Sequence, residues 1–351
     1  MSKLTTLAQL RRDRGWSQGE LAEKSAVSRA EISGIETGRL VPSVAAALRI
    51  ASALGHSVET VFGAPEGTPP VVWAWEPRAD DGRVWQASAN GRTVAYPVEM
   101  TAAGVLPHDA WWDGHRLHAR PGATPDSTVV IAGCDPLVGL LVRELALHHR
   151  IRVLPLLRSS AQALELLGQG LVCVAGVHVT DAAGRSTNDD VVRARLGAGY
   201  RLLHQLRWES GIAVVAGRRE RSVAALLGAK VRWVNREEGS AARQTFDTLL
   251  ASHRRPAGYD HVVRDHRAVA TTVSSGWAEA GVCVRPAAAD ARLSFIPVHQ
   301  EAYELCVPDI LMDDPRISAL LATLRSTTYR QLLADVPGCH SAHTGDVRAV
   351  A

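Results

Sequence analysis

The chain is poor in several things, and each shortage excludes something. Net charge is only +3 over 351 residues, which rules out nucleic-acid binding driven by bulk charge alone. Aromatic residues make up 5%. Lysine is scarce beside arginine and alanine is abundant, a bias of genome composition that says nothing about mechanism. No run of ~18 uncharged apolar residues exists, so no helical membrane span is expected. The first residues carry no apolar signal segment, so a cytoplasmic protein is expected. Cys134, Cys173, Cys283, Cys306 and Cys339 are odd in number and scattered, three of them in apolar strand-like runs. Buried, reduced thiols are therefore expected in place of a disulfide framework. There is no phosphate-binding P-loop, no dinucleotide fingerprint and no nucleophile–base pattern along the chain. No catalytic residue, metal or cofactor is expected.

What is present is more specific. A hydrophobic fraction of 46% is enough for two or three packed domains at this length. Leu21 and Ala22 put apolar surface on a short helix beginning near Gln18, and Ser25-Ala26-Val27 reads as a tight turn whose Val27 plugs a core. Ser28 is a helix N-cap, because its hydroxyl can accept from the free amides of the next turn, and Glu31 completes a capping box. Ile32 and Ile35 form one apolar stripe. Arg29, Ala30, Ser33 and Gly34 take the other face, small and basic as a helix entering the major groove requires. Gly38 ends that helix and Arg39 follows it, placed for a phosphate. A first helix carries Leu7, Leu10 and Arg11 to Arg14. Pro42-Ser43 opens another that Gly55 stops, and Ser57 to Phe62 makes a fifth.

Five helices with Ser-Gln, Glu-Leu-Ala, Ile-Ser-x-Ile-Glu-x-Gly and Pro-Ser in order resemble the Cro/Xre repressor family over residues 4–63. The resemblance implies DNA-facing positions at Gln18, Ser28, Arg29, Ala30, Ser33 and Arg39. It also implies a double-stranded operator and a homodimer. Met1 to Gly63 holds eight Lys/Arg against six Asp/Glu, a net +2, so placed contacts and two half-sites must carry most of the binding. The alternative is a helical dimerisation module.

Gly63-Ala-Pro-Glu-Gly-Thr-Pro-Pro70 is turn-rich punctuation, and residues 1–64 are read as one domain. Val71-Val-Trp-Ala-Trp75, Arg83-Val-Trp-Gln-Ala87 and Thr93-Val-Ala-Tyr-Pro97 read as strands, with Asn90-Gly91 as a hairpin turn between the last two. Residues 65–126 are expected to form a β-rich linker or dimer-contact module. Trp73, Trp75, Trp85, Trp111 and Trp112 gather there, as core or as an aromatic surface.

From Thr128 strands and helices alternate, which implies a parallel α/β arrangement. Val129 to Gly133 is a buried strand, and Asp135 and Pro136 are read as N-cap and first residue of a helix running to His148. Ile151 to Leu154 is a strand, Ser159-Ser160 caps a helix, and Leu171 to Ala175 is a strand. A helix, a glycine stop and a small-residue strand recur at Ala268 to Val284, which suggests two similar lobes. Gly211 to Val215 and Val231 to Val234 are strands between them. Around Gly239-Ser240 a strand ends, a turn follows and a helix begins. Free amides, the Ser240 hydroxyl and the helix dipole there make an anion site, with Arg243 as a charged fork. Ser159-Ser160 offers a second such helix start, and His178 follows a strand ending at the expected cleft. Plain N-caps without a ligand, and an ordinary hydrogen-bonded His178, are the alternatives.

Leu171 to His178, Val234 to Arg243, His266 to Ala270, Ala278 to Gly281 and Phe295 to Tyr303 resemble the periplasmic-binding-protein-like domain. That domain occurs fused to helix-turn-helix modules and to some molybdopterin-biosynthesis proteins. Over residues 127–345 it implies a type II, Venus-flytrap fold related to molybdate- and sulfate-binding proteins, with the ligand between the lobes. Candidate ligand contacts are then Asp135, Ser159, Ser160, His178, Glu238, Gly239, Ser240 and Arg243. The family's Gly-Ser-Gly-Thr-Arg is Gly239-Ser-Ala-Ala-Arg243 here, which removes a hydroxyl, and Glu237 and Glu238 would repel a dianion. A ligand with a donor or cationic group becomes an option. Cys339-His340-x-x-His343 has soft-metal donors, but no second cluster completes a zinc site, and residues 346–351 read as a frayed tail.

The fold expected is thus multidomain: a five-helix all-α unit, a small β-rich module and a two-lobed α/β domain. The function expected is a ligand-responsive one-component transcriptional regulator, read as a repressor. It binds a palindromic operator as a dimer and senses a small anionic or oxyanion-like effector. The alternatives are a C-terminal domain that only oligomerises, or a molybdenum-cofactor-related enzyme.

Overall fold

The computed structural model describes residues 6–62, 71–78, 80–101, 104–181, 183–251 and 253–350. The punctuation at 63–70 lies outside them. The chain divides into two compact units, Met1–Pro70 and Val71–Ala351.

The first unit holds α1 (Thr6–Asp13), α2 (Gln18–Ser25), α3 (Arg29–Glu36), α4 (Val44–Leu54) and α5 (Val58–Phe62). Ser17 and Ser28 cap α2 and α3, each in a reciprocal box with Glu20 and Glu31. Each box satisfies two amides that a helix start otherwise leaves open. Ala26 turns the chain in the left-handed region at φ 52°, and Leu7, Leu21, Val27, Ile32, Ile50 and Leu54 close one core. Arg11 makes a fork with Glu36, Nε to Oε1 at 2.6 Å and Nη2 to Oε2 at 3.0 Å. That buried pair ties α1 to the end of α3.

The second unit begins with β1 (Val72–Trp73), β2 (Arg83–Ala89), β3 (Arg92–Pro97), β4 (Ala110–Trp112) and β5 (Leu117–Ala119) in the sheet order β1-β3-β2-β4-β5. Asn90 and Gly91 have φ of 49° and 70°, the two positive values a type I′ hairpin needs. β1 runs parallel to β3, so the sheet is not wholly antiparallel. Nor is it a separate linker. Trp85, Ala87, Val94 and Tyr96 belong to the core of the lobe that follows. Asp109 takes a two-armed bond from Arg152, each arm 2.6 Å long. Trp85 is buried, whereas Trp111 is exposed.

Lobe 1 contains β6 (Thr128–Gly133), α6 (Val138–His149), β7 (Arg152–Leu157), α7 (Ser160–Gly168), β8 (Val174–Val177) and α8 (Asn188–Leu196). The long β9 (Tyr200–Val214) leads into lobe 2. That lobe is built of α9 (Val223–Gly228), β10 (Trp233–Arg236), α10 (Ala241–Leu250), β11 (Val262–Val263), α11 (His266–Ser274), β12 (Ala280–Val284) and α12 (Arg285–Asp290). An equally long β13 (Ser294–Pro308) returns to lobe 1, followed by α13 (Pro315–Arg325), α14 (Thr327–Ala334), β14 (Cys339–His340) and β15 (Val347–Ala349). The sheet order is β11-β10-β12-β9-β13-β8-β6-β7, with β14 and β15 also on β9. Pairing is parallel between β6 and its neighbours β7 and β8 and between β10 and its neighbours β11 and β12, and antiparallel where β9 meets β12 and β13 and where β13 meets β8.

β9 and β13 are the crossing between the lobes. Leu202, Leu206 and Trp208 pack in the lobe 1 core, while Ile212 and Val214 pack in that of lobe 2. Register shifts at Pro297/His299 and Tyr303/Glu304 bracket the crossing, bending the strand as bulges do. Tyr303 needs room there: a Cβ on Gly176 would lie 1.8 Å from its hydroxyl oxygen.

Four local expectations change. Asp135 does not cap α6, which starts at Val138 after Leu137; its carboxylate instead accepts from Leu137 N at 2.7 Å, closing a turn that precedes the helix. The strand expected over 171–175 lies at Val174–Val177, and 211–215 is the end of the longer β9. The frayed tail is instead a strand: β15 pairs with β9, and Val350 N donates to Tyr200 O at 2.9 Å. Among the described residues no helix is long and apolar enough to cross a membrane.

Candidate functional site at the lobe junction

Parallel strands release their C-terminal ends toward one crevice, where α/β folds bind ligands. Four side chains come from such ends or from the helix starts beside them. Cys134 follows β6, His178 follows β8, Arg236 ends β10, and His266 opens α11 behind its N-cap Asp265. None is more than 3% exposed. Cys134 Sγ lies 3.0 Å from His178 Nε2 and 3.9 Å from His266 Nε2. The hinge strands supply the next layer. Glu301 Oε2 accepts from His178 Nδ1 at 2.8 Å and from Trp208 Nε1 at 3.1 Å, and Oε1 lies 2.9 Å from His299 Nε2.

Charge is held tightly here. Burial opposes an imidazolium at His178, but the Cys134 sulfur and the Glu301 carboxylate outweigh it and push the group up to about 10. Burial likewise opposes the Glu301 carboxylate, yet the facing His178, together with hydrogen bonds from His178 and His299, holds it well below the usual carboxyl range. His266 goes the other way: burial, then the positive charges of Arg236 and His178, keep it neutral. Arg236 is paired with Glu237 through two 2.9 Å bonds. Its Nη1, and the Nδ1 of His266, are buried without a partner.

The ligand contacts expected from sequence divide into three groups. Ser159 caps α7 in a capping box, and Ser160 Oγ accepts from His178 N at 3.2 Å. Ser240 caps α10 and also donates to Glu237 O. Gly239 has φ +82°, and a Cβ built there would be 3.6 Å from Ala161 Cβ, so the Gly-Ser turn of lobe 2 meets the start of α7 from lobe 1. These residues, with His178, do come together. Asp135 is buried beside Cys134 but is turned to Leu137 N and Gln205 Nε2; burial raises its carboxyl to about 6. Glu238 and Arg243 depart from expectation. Glu238 is exposed. Arg243 bonds Asp247 and the Tyr259 hydroxyl and stacks over the Tyr259 ring at 4.3 Å. Its charge is used within lobe 2, because Asp247 sits one turn on along α10, and the guanidinium at the junction is that of Arg236. Cys134, Arg236, His266 and Glu301 were missed. For Cys134 and Arg236 the available signal was a soft or charged residue closing an apolar strand; His266 opens a helix and Glu301 lies within β13, where that signal is absent.

In the first unit Ser28, Arg29, Ala30 and Arg39 are exposed and Ser33 is half-buried. Arg39 Nε donates to Thr37 Oγ1. The Gln18 amide donates to Glu36 Oε2 at 2.8 Å, so it braces the buried Arg11–Glu36 pair.

A helix-turn-helix unit followed by a two-lobed α/β domain defines a DNA-binding regulator joined to a binding-protein-like domain. The chain belongs to the PBP superfamily domain family, whose model matches residues 142–325, and a helix-turn-helix domain matches residues 5–61. It is 29% identical to the uncharacterized protein YvgK of Bacillus subtilis (strain 168) over 238 residues, 65% of this chain and 75% of that one. It is 41% identical to the HTH-type transcriptional regulator SutR of Escherichia coli (strain K12) over 69 residues, 20% of this chain and 39% of that protein. Among solved structures, an ABC-type phosphate transport receptor from Vibrio cholerae aligns with a TM-score of 0.42 at 15% identity, covering 59% of this chain and 97% of the receptor.

Proposed function

We propose that this protein is a one-component transcriptional regulator whose operator affinity is set by a small ligand at the junction of lobes 1 and 2. The observation that carries the reading is the pair of buried, unpartnered polar atoms, the donor Arg236 Nη1 and the ring nitrogen His266 Nδ1. A buried donor without an acceptor costs ~1–3 kcal/mol, and more when charged. A ligand oxygen at the junction offsets that cost. The starts of α7 and α10 meet there and favour negative charge, so the ligand class is a small anion. Cys134 and His178 come from lobe 1, and Arg236 and His266 from lobe 2, so such a ligand favours the closed arrangement over any open one. That differential affinity is what a regulator needs. The DNA-contacting set proposed is Arg29, Ala30, Ser28, Ser33 and Arg39, on a homodimer reading a palindromic operator.

The test starts with operator selection from random duplexes, followed by anisotropy titrations at fixed salt with phosphate, sulfate, molybdate and small carboxylates. One of these should shift operator affinity by about 5–150-fold, the usual range of allosteric coupling. Arg236→Met should remove the shift and leave ligand-free DNA binding intact. Operator affinity indifferent to every anion, with no thermal stabilisation by any, would refute the reading.

A further inference from the structure

We infer that the junction is also a binding site for a thiophilic metal ion, held by Cys134 Sγ, His178 Nε2 and His266 Nε2. The inference rests on the same junction as the proposed function and names a further component of the effector there. Among the described residues these three form the one group of His, Cys, Asp and Glu donors close enough to share an ion, all within 4.8 Å of one another and all buried.

The spacing suits a tetrahedral ion. Bonds of about 2.3 Å to sulfur and 2.0–2.1 Å to nitrogen place the two donors about 3.5 Å apart. The observed 3.0 and 3.9 Å fall on either side of that value, so each sulfur–nitrogen separation needs to change by about half an ångström. The donor types select the metal: one thiolate and two imidazoles suit zinc(II) or copper(I) and not the oxygen-seeking cations. His178 is already oriented, because its Nδ1 is held by Glu301 and its Nε2 faces the sulfur. A carboxylate behind a ligating histidine is the usual device for fixing the ring. The ion would take the place of the proton between the Cys134 sulfur and His178 Nε2, so binding releases that proton.

Three protein donors leave one position on a four-coordinate ion. Arg236, whose Nη1 is buried without a partner, would favour an anion as the fourth ligand. The metal and the proposed anion are then parts of one assembly. Because Cys134 and His178 belong to lobe 1 and His266 to lobe 2, the ion would fasten the two lobes together. The C-terminal Cys339, His340 and His343 do not make a second such site: His340 pairs with Gln300 and His343 with Asp346.

The probe is cobalt(II), a spectroscopic substitute for zinc(II), added to the full-length, chelator-stripped, reduced protein. One equivalent should bind with a thiolate-to-cobalt charge-transfer absorption that zinc(II) then displaces. Cys134→Ser should abolish the absorption, and His266→Gln and Glu301→Gln should each weaken binding by about tenfold or more. The wild-type titration alone is decisive if a variant fails to fold. Absence of the charge-transfer band at one equivalent, or its persistence in Cys134→Ser, overturns the inference. Failure here, with an anion still shifting operator affinity, would leave the regulator reading standing. A bound metal with an indifferent operator would sustain the site and refute the regulator reading.

Discussion

Glu301→Gln isolates the charge at the hinge while keeping its shape. Glu301 is 1% exposed and receives His178 and Trp208 on one oxygen and His299 on the other. A glutamine placed with its carbonyl toward His178 and Trp208 preserves those two bonds. Its amide then faces His299 Nε2, which accepts in the tautomer protonated at Nδ1. What is lost is the negative charge beside a buried imidazolium. Breaking a buried ion pair by removing one partner costs about 3–5 kcal/mol. A loss of about 3 kcal/mol or more at pH 7 is expected here. The assay is urea unfolding of the full chain followed by tryptophan fluorescence, with the transition of the helical unit as an internal control.

The pH profile gives a second readout with a definite sign. His178 is raised from 6.5 to about 10, so its contribution is complete below about pH 6.5 and is lost as pH climbs through about 10. Glu301 is lowered, so its contribution is present above the ordinary carboxyl range and is lost as pH falls through its depressed value. Wild-type stability of the second unit should therefore fall at both ends. In Glu301→Gln the acid limb should shrink, leaving the part due to other lowered carboxylates such as Glu304, and the alkaline limb should begin at lower pH. A cost below about 1 kcal/mol with an unchanged alkaline limb would refute the argument that this pair is charged and coupled.

Other substitutions report on other parts of the molecule. Gly176→Ala places a methyl 1.8 Å from the Tyr303 hydroxyl and should destabilise the second unit by about 1–3 kcal/mol through overpacking, measured by the same urea transition. Ser28→Ala removes the α3 cap and should cost about 1 kcal/mol, seen as a lower melting temperature of the first unit alone. Arg39→Ala, a proposed phosphate contact, should weaken binding uniformly across DNA sequences and lower the slope of log K against log salt by about 1.

Much of the local architecture was legible because its causes are local. The capping box at Ser28/Glu31 closes between residues three apart, and the Asn90-Gly91 hairpin needs only two positive φ angles. Such features are properties of short segments, readable without knowing where the chain goes next. Ser159, Ser160 and Ser240 were identifiable as helix starts for the same reason.

The junction was not legible, since its members are far apart in sequence and meet only through the return of the chain. Cys134 and His178 are separated by 44 residues, His178 and Glu301 by 123, and Cys134 and His266 by 132. The sequence by itself determined a helix-turn-helix unit, an α/β alternation and the caps at Ser28, Ser159 and Ser240, all short-range consequences of side-chain chemistry. Only the tertiary structure decided that β9 and β13 span both lobes and that the 71–126 sheet joins the lobe 1 core. It also decided which arginine supplies the charge. Arg243 and Arg236 both flank the same Gly-Ser turn; burial and the position of Asp247 spend one within lobe 2 and leave the other at the junction.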